Sequence, residues 1–418
     1  MALHLAAFAG PPPWITRRAT AIRALAFVIF FSIAVVAWAA PSISGTFVWN
    51  VLIASVPLLI VLLGYHLWRR VCPLAFIASL GQHFIRFERR RASPFLEANY
   101  HYVALGGFAI AAWLRLTVVN GDAEAIVALF AAVSLVALTV GTLFTGKTWC
   151  NFFCPVSFIE KIYTEPATSS AGSNSQCVAC SGCKRACPDI DQEASFWKDI
   201  SSAAKKFVYF AFPGLVVSFF LYSYLQSGNW ASYFELSWAN QPGPSWAVFL
   251  PGHDASTAGF FFLTAVPRAV AAMLTLLAGS GLSLAILSLG ERAIRRFTAP
   301  GGRVSDRRRT QQWSFVVAGA VAFAAFYGFA VLPMFSASPG LGLGCTAAIA
   351  AVGLRMVVGR LRLRPPAAAR PSQYGRPNVA GRLALNATPA IAAVVISPLS
   401  IDVLHQRQRL VPRSNNVR

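Results

Sequence analysis

Long apolar segments alternate with short polar segments along most of the chain. Eight of the apolar segments approach the roughly 20 residues that a helix needs to cross a bilayer. They lie at about 24–40, 47–67, 102–119, 123–144, 207–225, 269–289, 313–335 and 342–358. This pattern predicts an all-α polytopic membrane protein with about eight transmembrane helices.

The composition agrees with a membrane protein. Apolar residues make up 56% of the chain and charged residues only 12%, which is about half the charged fraction of a soluble domain. The formal net charge is +21, a value that would suggest nucleic acid binding in a soluble protein. No interleaved aromatic–basic surface or helix-turn-helix pattern accompanies that charge, so we predict no nucleic acid partner.

The positions of the positive charges predict the orientation in the membrane. Of the 36 Lys and Arg residues, all but Arg115, Arg268 and Arg355 lie in connecting segments that would share one side. The connecting segments of the other side hold none: 41–46, 120–122, 226–258 and 336–341. The positive-inside rule therefore predicts a multi-pass protein of the bacterial inner membrane with both termini in the cytosol. The basic segments would bind anionic membrane lipid.

Two arginines lie near the predicted external ends of their spans. Arg115 lies near the end of the third span, and Arg268 directly precedes the sixth. A long basic side chain at such a position can extend to the membrane surface, and we expect this of both. A buried functional arginine is the alternative.

Four of the eight Cys residues form one compact motif. Cys177, Cys180, Cys183, Cys187 and the following Pro188 have the spacing C-x2-C-x2-C-x3-C-P. This is the spacing of bacterial ferredoxins, whose thiolates ligate a 4Fe–4S cluster. Zinc sites use paired C-x2-C units that lie further apart, and disulfides are rare in the cytosol. We therefore predict that these four residues ligate a 4Fe–4S cluster.

Three further cysteines lie at the same ends of predicted spans. Cys150 and Cys154 form a C-x3-C-P motif, and the segment 154–159 repeats the pattern of the segment 72–77, which begins with Cys72. This internal repeat favours a second site at these three residues, which could ligate a second cluster or form a redox-active thiol pair. The alternative is that they are small apolar side chains buried at helix ends.

Trp68 and Cys345 are interpreted separately from these three cysteines. In the first copy of the repeat, Trp68 stands where Cys150 stands in the second. Cys345 lies near the opposite end of the last span, so we interpret it as a packing residue.

Spans that end in C-x3-C-P, followed by C-x2-C-x2-C-x3-C-P, resemble the membrane polyferredoxins of the NapH, NosR and CcoG type. The resemblance covers about residues 47–225. Those proteins are respiratory-chain accessories that serve periplasmic nitrate reduction, nitrous oxide reduction and the copper loading of cbb-type oxidase. The resemblance implies that the ferredoxin-spaced cysteines are cluster ligands and that Cys150 and Cys154 match the family's C-x3-C-P pair. Cys72 matches the second cysteine of an earlier pair, whose first cysteine is absent here.

The chain also departs from that family. It has one ferredoxin motif where family members commonly have two. Its first external segment is far too short for the external flavin-binding domain of NosR-type proteins. Three additional spans follow the region of resemblance, after about residue 225. One cluster is therefore predicted, and a second cluster remains an alternative.

These observations divide the chain into four parts. We predict a four-span bundle at 1–145, a cytosolic ferredoxin-like iron–sulfur loop at 146–206, a second four-span bundle at 207–358 and a basic tail at 359–418. No catalytic residues are predicted. The predicted function is the transfer of single electrons at the cytosolic face to a redox partner protein or a quinone. The alternatives are a copper-centre assembly factor that uses Cys150 and Cys154, and a membrane redox sensor.

Overall fold

The computed structural model describes most of the two predicted membrane bundles. The described residues are 13–84, 90–164, 192–235, 246–250, 258–298, 304–331 and 339–363. All of them belong to one compact unit, Met1–Ala368, and the unit Ala369–Arg418 lies outside the described residues. The four cysteines of the ferredoxin motif also lie outside them, so the predicted ferredoxin-like insert stays a prediction.

The first half of the described chain is helical throughout. Two short π-helical segments, Phe47–Ile53 and Trp149–Phe153, interrupt the α-helices. The α-helices are α1 (Pro13–Ala39), α2 (Pro41–Thr46), α3 (Ala54–Val71), α4 (Pro73–Phe84), α5 (Pro94–Thr117), α6 (Ala123–Leu143) and α7 (Ser157–Tyr163).

The second half is also mostly helical. A 3-10 turn covers Trp246–Phe249, and two short strands follow it, β1 (Ala258–Phe260) and β2 (Leu263–Pro267). The α-helices are α8 (Gln192–Ser201), α9 (Ala203–Ser227), α10 (Ala231–Phe234), α11 (Arg268–Thr298), α12 (Val304–Ala330) and α13 (Pro339–Arg362).

Within the described residues, seven helical segments are long and apolar enough to cross a membrane. They are Ala21–Ala39, Pro41–Tyr65, Ala123–Leu143, Ala203–Ser227, Arg268–Phe297, Arg307–Ala330 and Gly342–Arg362. The predicted span at 102–119 falls in α5, which is not among the seven; its Tyr100, His101 and Arg115 reduce its apolar character. The helices indicate a multi-pass membrane protein, whereas the identity of the membrane and the orientation of the termini stay predictions.

The described chain is mostly helical, as the sequence predicts, and two short strands interrupt its second half. β1 and β2 form an antiparallel hairpin between α10 and α11, with Phe260 paired to Leu263. The hydroxyl of Tyr222 in α9 donates hydrogen bonds to the carbonyls of Gly259, at 3.0 Å, and Arg268, at 3.2 Å. The hairpin is therefore held against the end of α9 by polar contacts that the apolar pattern of the sequence does not display.

Helix α9 packs closely against α11 through small residues. A Cβ atom added to Gly279 would lie 2.5 Å from the Cβ of Ser218. The backbone of Gly279 in turn lies against Gly214, and Ser283 donates a hydrogen bond to the carbonyl of Phe210 at 2.7 Å. Close backbone approach at small residues is the usual way in which membrane helices associate.

Replacing Gly279 by Ala should destabilise this helix pair by about 1–3 kcal/mol, because the added methyl group overpacks the contact with Ser218. Gly281 offers a matched control in the same helix, since a Cβ there would meet nothing within 4 Å. Thermal unfolding in detergent should show a lower midpoint for Gly279→Ala and no decrease for Gly281→Ala. Equal midpoints for both variants would contradict the packing.

The structure extends the internal repeat beyond the cysteines. The alignment that pairs Cys72 with Cys154 also pairs Pro41 with Ala123, which are the first residues of two membrane-spanning segments. The helix that follows Cys72, α4, packs on α6 of the second copy, and the helix that follows Cys154, α7, packs on α3 of the first. This reciprocal packing indicates an approximate two-fold relation between the copies.

Candidate functional site

The two Cys–Pro pairs end their helices in the same way. Cys72 has φ −57° and ψ 125°, and Cys154 has φ −61° and ψ 120°. A residue that precedes proline is disfavoured in the α conformation, so each helical segment stops at its cysteine. The amide of Cys72 donates to the carbonyl of Trp68 at 2.9 Å, and that of Cys154 to Trp149 at 2.8 Å. The repeated sequence thus produces a repeated backbone geometry.

A buried ion pair joins the two copies beside these cysteines. The Nε atom of Arg69 donates to Oε2 of Glu160 at 2.8 Å, and their side chains are 1% and 5% exposed. The indole of Trp68 donates to Oε1 of the same carboxylate at 2.9 Å. Both carboxylate oxygens therefore accept a hydrogen bond, as a buried charge requires.

Arg69 also reaches the segment around the C-x3-C-P motif. Its Nη1 atom donates to Oδ1 of Asn151 at 2.8 Å, and its Nη2 atom donates to the carbonyl of Cys150 at 2.9 Å. Asn151 is the position that the repeat aligns with Arg69. Equivalent positions of the two copies are thus in contact, and this contact orients the backbone of Cys150.

The structure brings the three predicted thiols of the second site into electrostatic reach of one another. Cys154 is buried, and Cys72 and Cys150 are half-buried. Burial, with Cys150 and Glu160 nearby, raises the pKa of Cys72 to about 12. Burial also raises the pKa of Cys154 well above its usual value, with contributions from Glu160, Cys150 and Cys72. In the iron-free protein these two thiols are therefore protonated at neutral pH.

A second cluster at these cysteines would require Cys72 and Cys154 to lose their protons. A thiol must lose its proton to bind a metal ion, and the burial of Cys72 and Cys154 beside Glu160 opposes that loss. Among the residues that the structure describes, no three His, Cys, Asp or Glu side chains are grouped so that they could hold a metal ion. A second cluster at Cys72, Cys150 and Cys154 stays a prediction.

The raised pKa of Cys72 predicts slow alkylation. In the folded, iron-free protein the reaction of Cys72 with iodoacetamide should accelerate about tenfold per pH unit above pH 9 without reaching a plateau, because only the thiolate reacts. After unfolding, the rate should level off near pH 9, the ordinary pKa of 9.0. Peptide mapping by mass spectrometry at a series of pH values measures both profiles.

The same shift has a consequence for stability. Because the folded pKa of Cys72 lies above the unfolded one, its contribution to stability is complete below about pH 9 and is lost as the pH rises toward 12. A folded-state alkylation profile that levels off near pH 9 would contradict the raised pKa of this thiol.

The described residues on either side of the segment 165–191 are tied together. Lys161 of α7 lies 3.6 Å from a carboxylate oxygen of Asp199 in α8, and Lys205 of α9 also pairs with Asp199. Asp199 is only 3% exposed. These ion pairs hold the two ends of the segment that carries the ferredoxin motif close to each other.

The last helix also contacts this region. Nη2 of Arg360 donates to the carbonyls of Lys161, at 2.8 Å, and Thr164, at 3.0 Å. Arg360 is 1% exposed and is the largest fully buried side chain among the described residues. It caps the carbonyl end of α7, where a cation is favoured.

A cavity of about 640 Å³ runs from the cysteines toward the opposite ends of the helices. Cys72, Cys154 and Glu160 line it near one end, and Arg115 and Arg268 line it elsewhere. The two arginines are only 9% and 7% exposed. The expectation that both would extend to the membrane surface is therefore wrong, because they lie against the cavity within the helical bundle.

No family model, no curated protein sequence and no solved structure matches the chain. The resemblance to membrane polyferredoxins therefore rests on the cysteine motifs alone and stays a prediction.

Several site residues have no distinctive sequence signal. Arg69, Glu160, Asp199 and Arg360 are charged residues in or beside the predicted polar segments, where solvent exposure is the usual outcome. The repeat offers one partial signal, since Arg69 and Glu160 lie close to the two copies of the Cys–Pro pair. Their pairing depends on the contact between the copies, which the sequence pattern does not specify.

Proposed function

We propose that this chain is a membrane-anchored iron–sulfur protein that passes single electrons at the cytosolic face of the bacterial inner membrane. The observation that carries the proposal is the C-x2-C-x2-C-x3-C-P motif, placed between membrane-spanning helices. Cys177, Cys180, Cys183 and Cys187 would hold a 4Fe–4S cluster, which takes up and releases one electron at a time. A redox partner protein or a quinone would exchange electrons with it.

The described residues would position the motif relative to the bundle. Lys161, Asp199 and Lys205 hold together the chain on either side of the motif. Arg360 links Lys161 and Thr164, which precede the motif, to α13 through hydrogen bonds. Such fixed anchorage would keep the cluster at a constant distance from the membrane. The basic segments would attract an acidic redox partner and the anionic lipid of the cytosolic leaflet.

The proposal is tested by measuring iron and acid-labile sulfide in protein purified without exposure to air. About four irons per chain are expected, with the electron paramagnetic resonance signal of a reduced cluster after dithionite. Cys183→Ala should lose the signal, whereas Cys345→Ala, which changes a cysteine of α13 far from the motif in sequence, should keep it. Wild-type protein without iron would overturn the proposal.

A second candidate function uses the C-x3-C-P pair, Cys150 and Cys154, whose thiols are close enough to affect each other electrostatically. Two thiols could accept a soft metal ion such as Cu(I), as an assembly factor for a copper centre would. In that case we expect one cluster per chain and a separate copper-binding activity, which is lost in Cys150→Ser. About eight irons per chain would instead assign these thiols to a second cluster.

A further inference from the structure

Four basic side chains meet where three membrane helices come together. Lys206 lies in the first turn of α9, and Arg307 lies in the first turn of α12. Arg292 and Arg295 lie near the end of α11. The three helices pack on one another, and the charges of all three arginines act on Lys206. We call these four residues the basic corner.

A buried carboxylate holds part of the basic corner in place. Glu291 of α11, whose side chain is 1% exposed, forms ion pairs with both Lys206 and Arg295. This single carboxylate does not balance the local charge, because the segment 291–312 holds seven arginines and only two acidic residues, Glu291 and Asp306. The corner therefore keeps an excess of positive charge at the ends of the helices, where phospholipid head groups lie.

An exposed apolar face of α11 leads toward Arg292. Leu282, Ile286 and Leu289 on this face are 63%, 58% and 60% exposed. These three residues and Arg292 follow one another at intervals of four, three and three residues, so they lie on one face of the helix. Because such a face of a membrane-spanning helix contacts acyl chains, a molecule bound at the corner would have an apolar chain beside its anionic group.

Two cations of the corner are open to a ligand. Arg292 and Arg307 are exposed and come from two neighbouring helices. A guanidinium group presents its N–H donors in a planar fork that matches two oxygens of a phosphate. Basic pockets between membrane helices bind the head groups of anionic lipids in this way.

We infer that the basic corner binds one anionic phospholipid, whose phosphate contacts Arg292 and Arg307 and whose acyl chain lies along the exposed face of α11. Lys206 and Arg295, held by Glu291, add to the positive potential around the phosphate. The inference rests on the membrane location in the proposed function and assigns its general attraction of anionic lipid to one defined site. It uses none of the predicted cluster ligands, so iron content and lipid binding test the two separately.

The test is native mass spectrometry of the full chain, freed of lipid in an uncharged detergent and mixed with dioleoyl phosphatidylglycerol. One lipid should bind each chain more tightly than any further lipid. Arg292→Gln and Arg307→Gln should each weaken that binding about fivefold, the usual contribution of one basic residue at a membrane surface. Both residues are exposed, so the unfolding midpoints should stay nearly unchanged.

Arg309→Gln is the matched control for Arg307→Gln. Arg309 is also exposed and lies on α12 two residues after Arg307, which places it about 200° around the helix. It is not among the charges that act on Lys206, so Arg309→Gln should bind the lipid as wild type does. Equal weakening in the two variants would overturn the inference, because it would reflect the total positive charge alone.

Two comparisons on the wild-type protein do not depend on the folding of any variant. Dioleoyl phosphatidylcholine has the same chains and phosphate but no net charge, and it should bind at least about tenfold more weakly than phosphatidylglycerol. Glycerol phosphate, which lacks the chains, should not displace the lipid at an equal concentration. Equal binding of phosphatidylcholine, or displacement by glycerol phosphate, would contradict a site for an anionic phospholipid.

Discussion

Replacing Arg69 by Met should lower the free energy of unfolding by about 3–5 kcal/mol, because it leaves the carboxylate of Glu160 buried without its cation. The pair is almost inaccessible to solvent, with exposures of 1% and 5%. Arg69 also donates to Asn151 and to the carbonyl of Cys150. The substitution therefore removes the polar contacts of Arg69 to the second repeat copy, whereas the hydrogen bond from Trp68 to Glu160 remains. Thermal or denaturant unfolding in detergent measures the loss.

Two further variants separate the ion pair from a general loss of positive charge. Arg70→Met removes the neighbouring arginine, which is half-buried and has no ion pair with Glu160 among the described contacts, so a much smaller effect is expected. The double variant Arg69→Met/Glu160→Met removes both charges and should recover most of the stability, because the uncompensated carboxylate is gone. A double variant as unstable as Arg69→Met would contradict this account.

Replacing Arg360 by Met should lower the free energy of unfolding by about 1.5–3 kcal/mol, since it removes charge-assisted hydrogen bonds to two carbonyls. The acceptors, in Lys161 and Thr164, lie at the carbonyl end of α7. Few residues of α13 are buried within the protein. Arg360 is thus a main polar link between the last helix and the chain that leads to the ferredoxin motif. The unfolding midpoint in detergent measures this effect.

Arg362 provides the control for Arg360. It lies on the same helix only two residues away, and it is exposed. Arg362→Met should leave the unfolding midpoint nearly unchanged, as is usual for surface substitutions. If the two variants had the same effect, the loss would reflect positive charge at the end of α13 rather than the bonds to α7.

Local features of the sequence account for much of the fold. Seven of the eight predicted spans coincide with long apolar helices, because the length and apolar character of a spanning helix depend on its own residues. The remaining predicted span, 102–119, lies in α5. That helix carries Tyr100, His101 and Arg115 and is not apolar enough to be counted with the others. The hairpin of β1 and β2 is too short to show a distinctive alternating pattern.

The ends of the helices at Cys72 and Cys154 could also be anticipated. Each cysteine precedes a proline, and the constraint that proline places on its neighbour is local. The internal repeat indicated that these cysteines occupy equivalent positions. It did not indicate that α4 and α7 would each pack on a helix of the other copy.

The sequence alone therefore sets the properties that depend on neighbouring residues: the apolar spans, the helix ends at Cys–Pro and the cysteine spacing that predicts a cluster. Only the tertiary structure decides which charges meet. Glu160 forms an ion pair with Arg69 of the other repeat copy. Arg115 and Arg268 line one cavity instead of extending to the surface. The partner and burial of a charge depend on helices distant in sequence, and periodicity along the chain carries no information about those contacts.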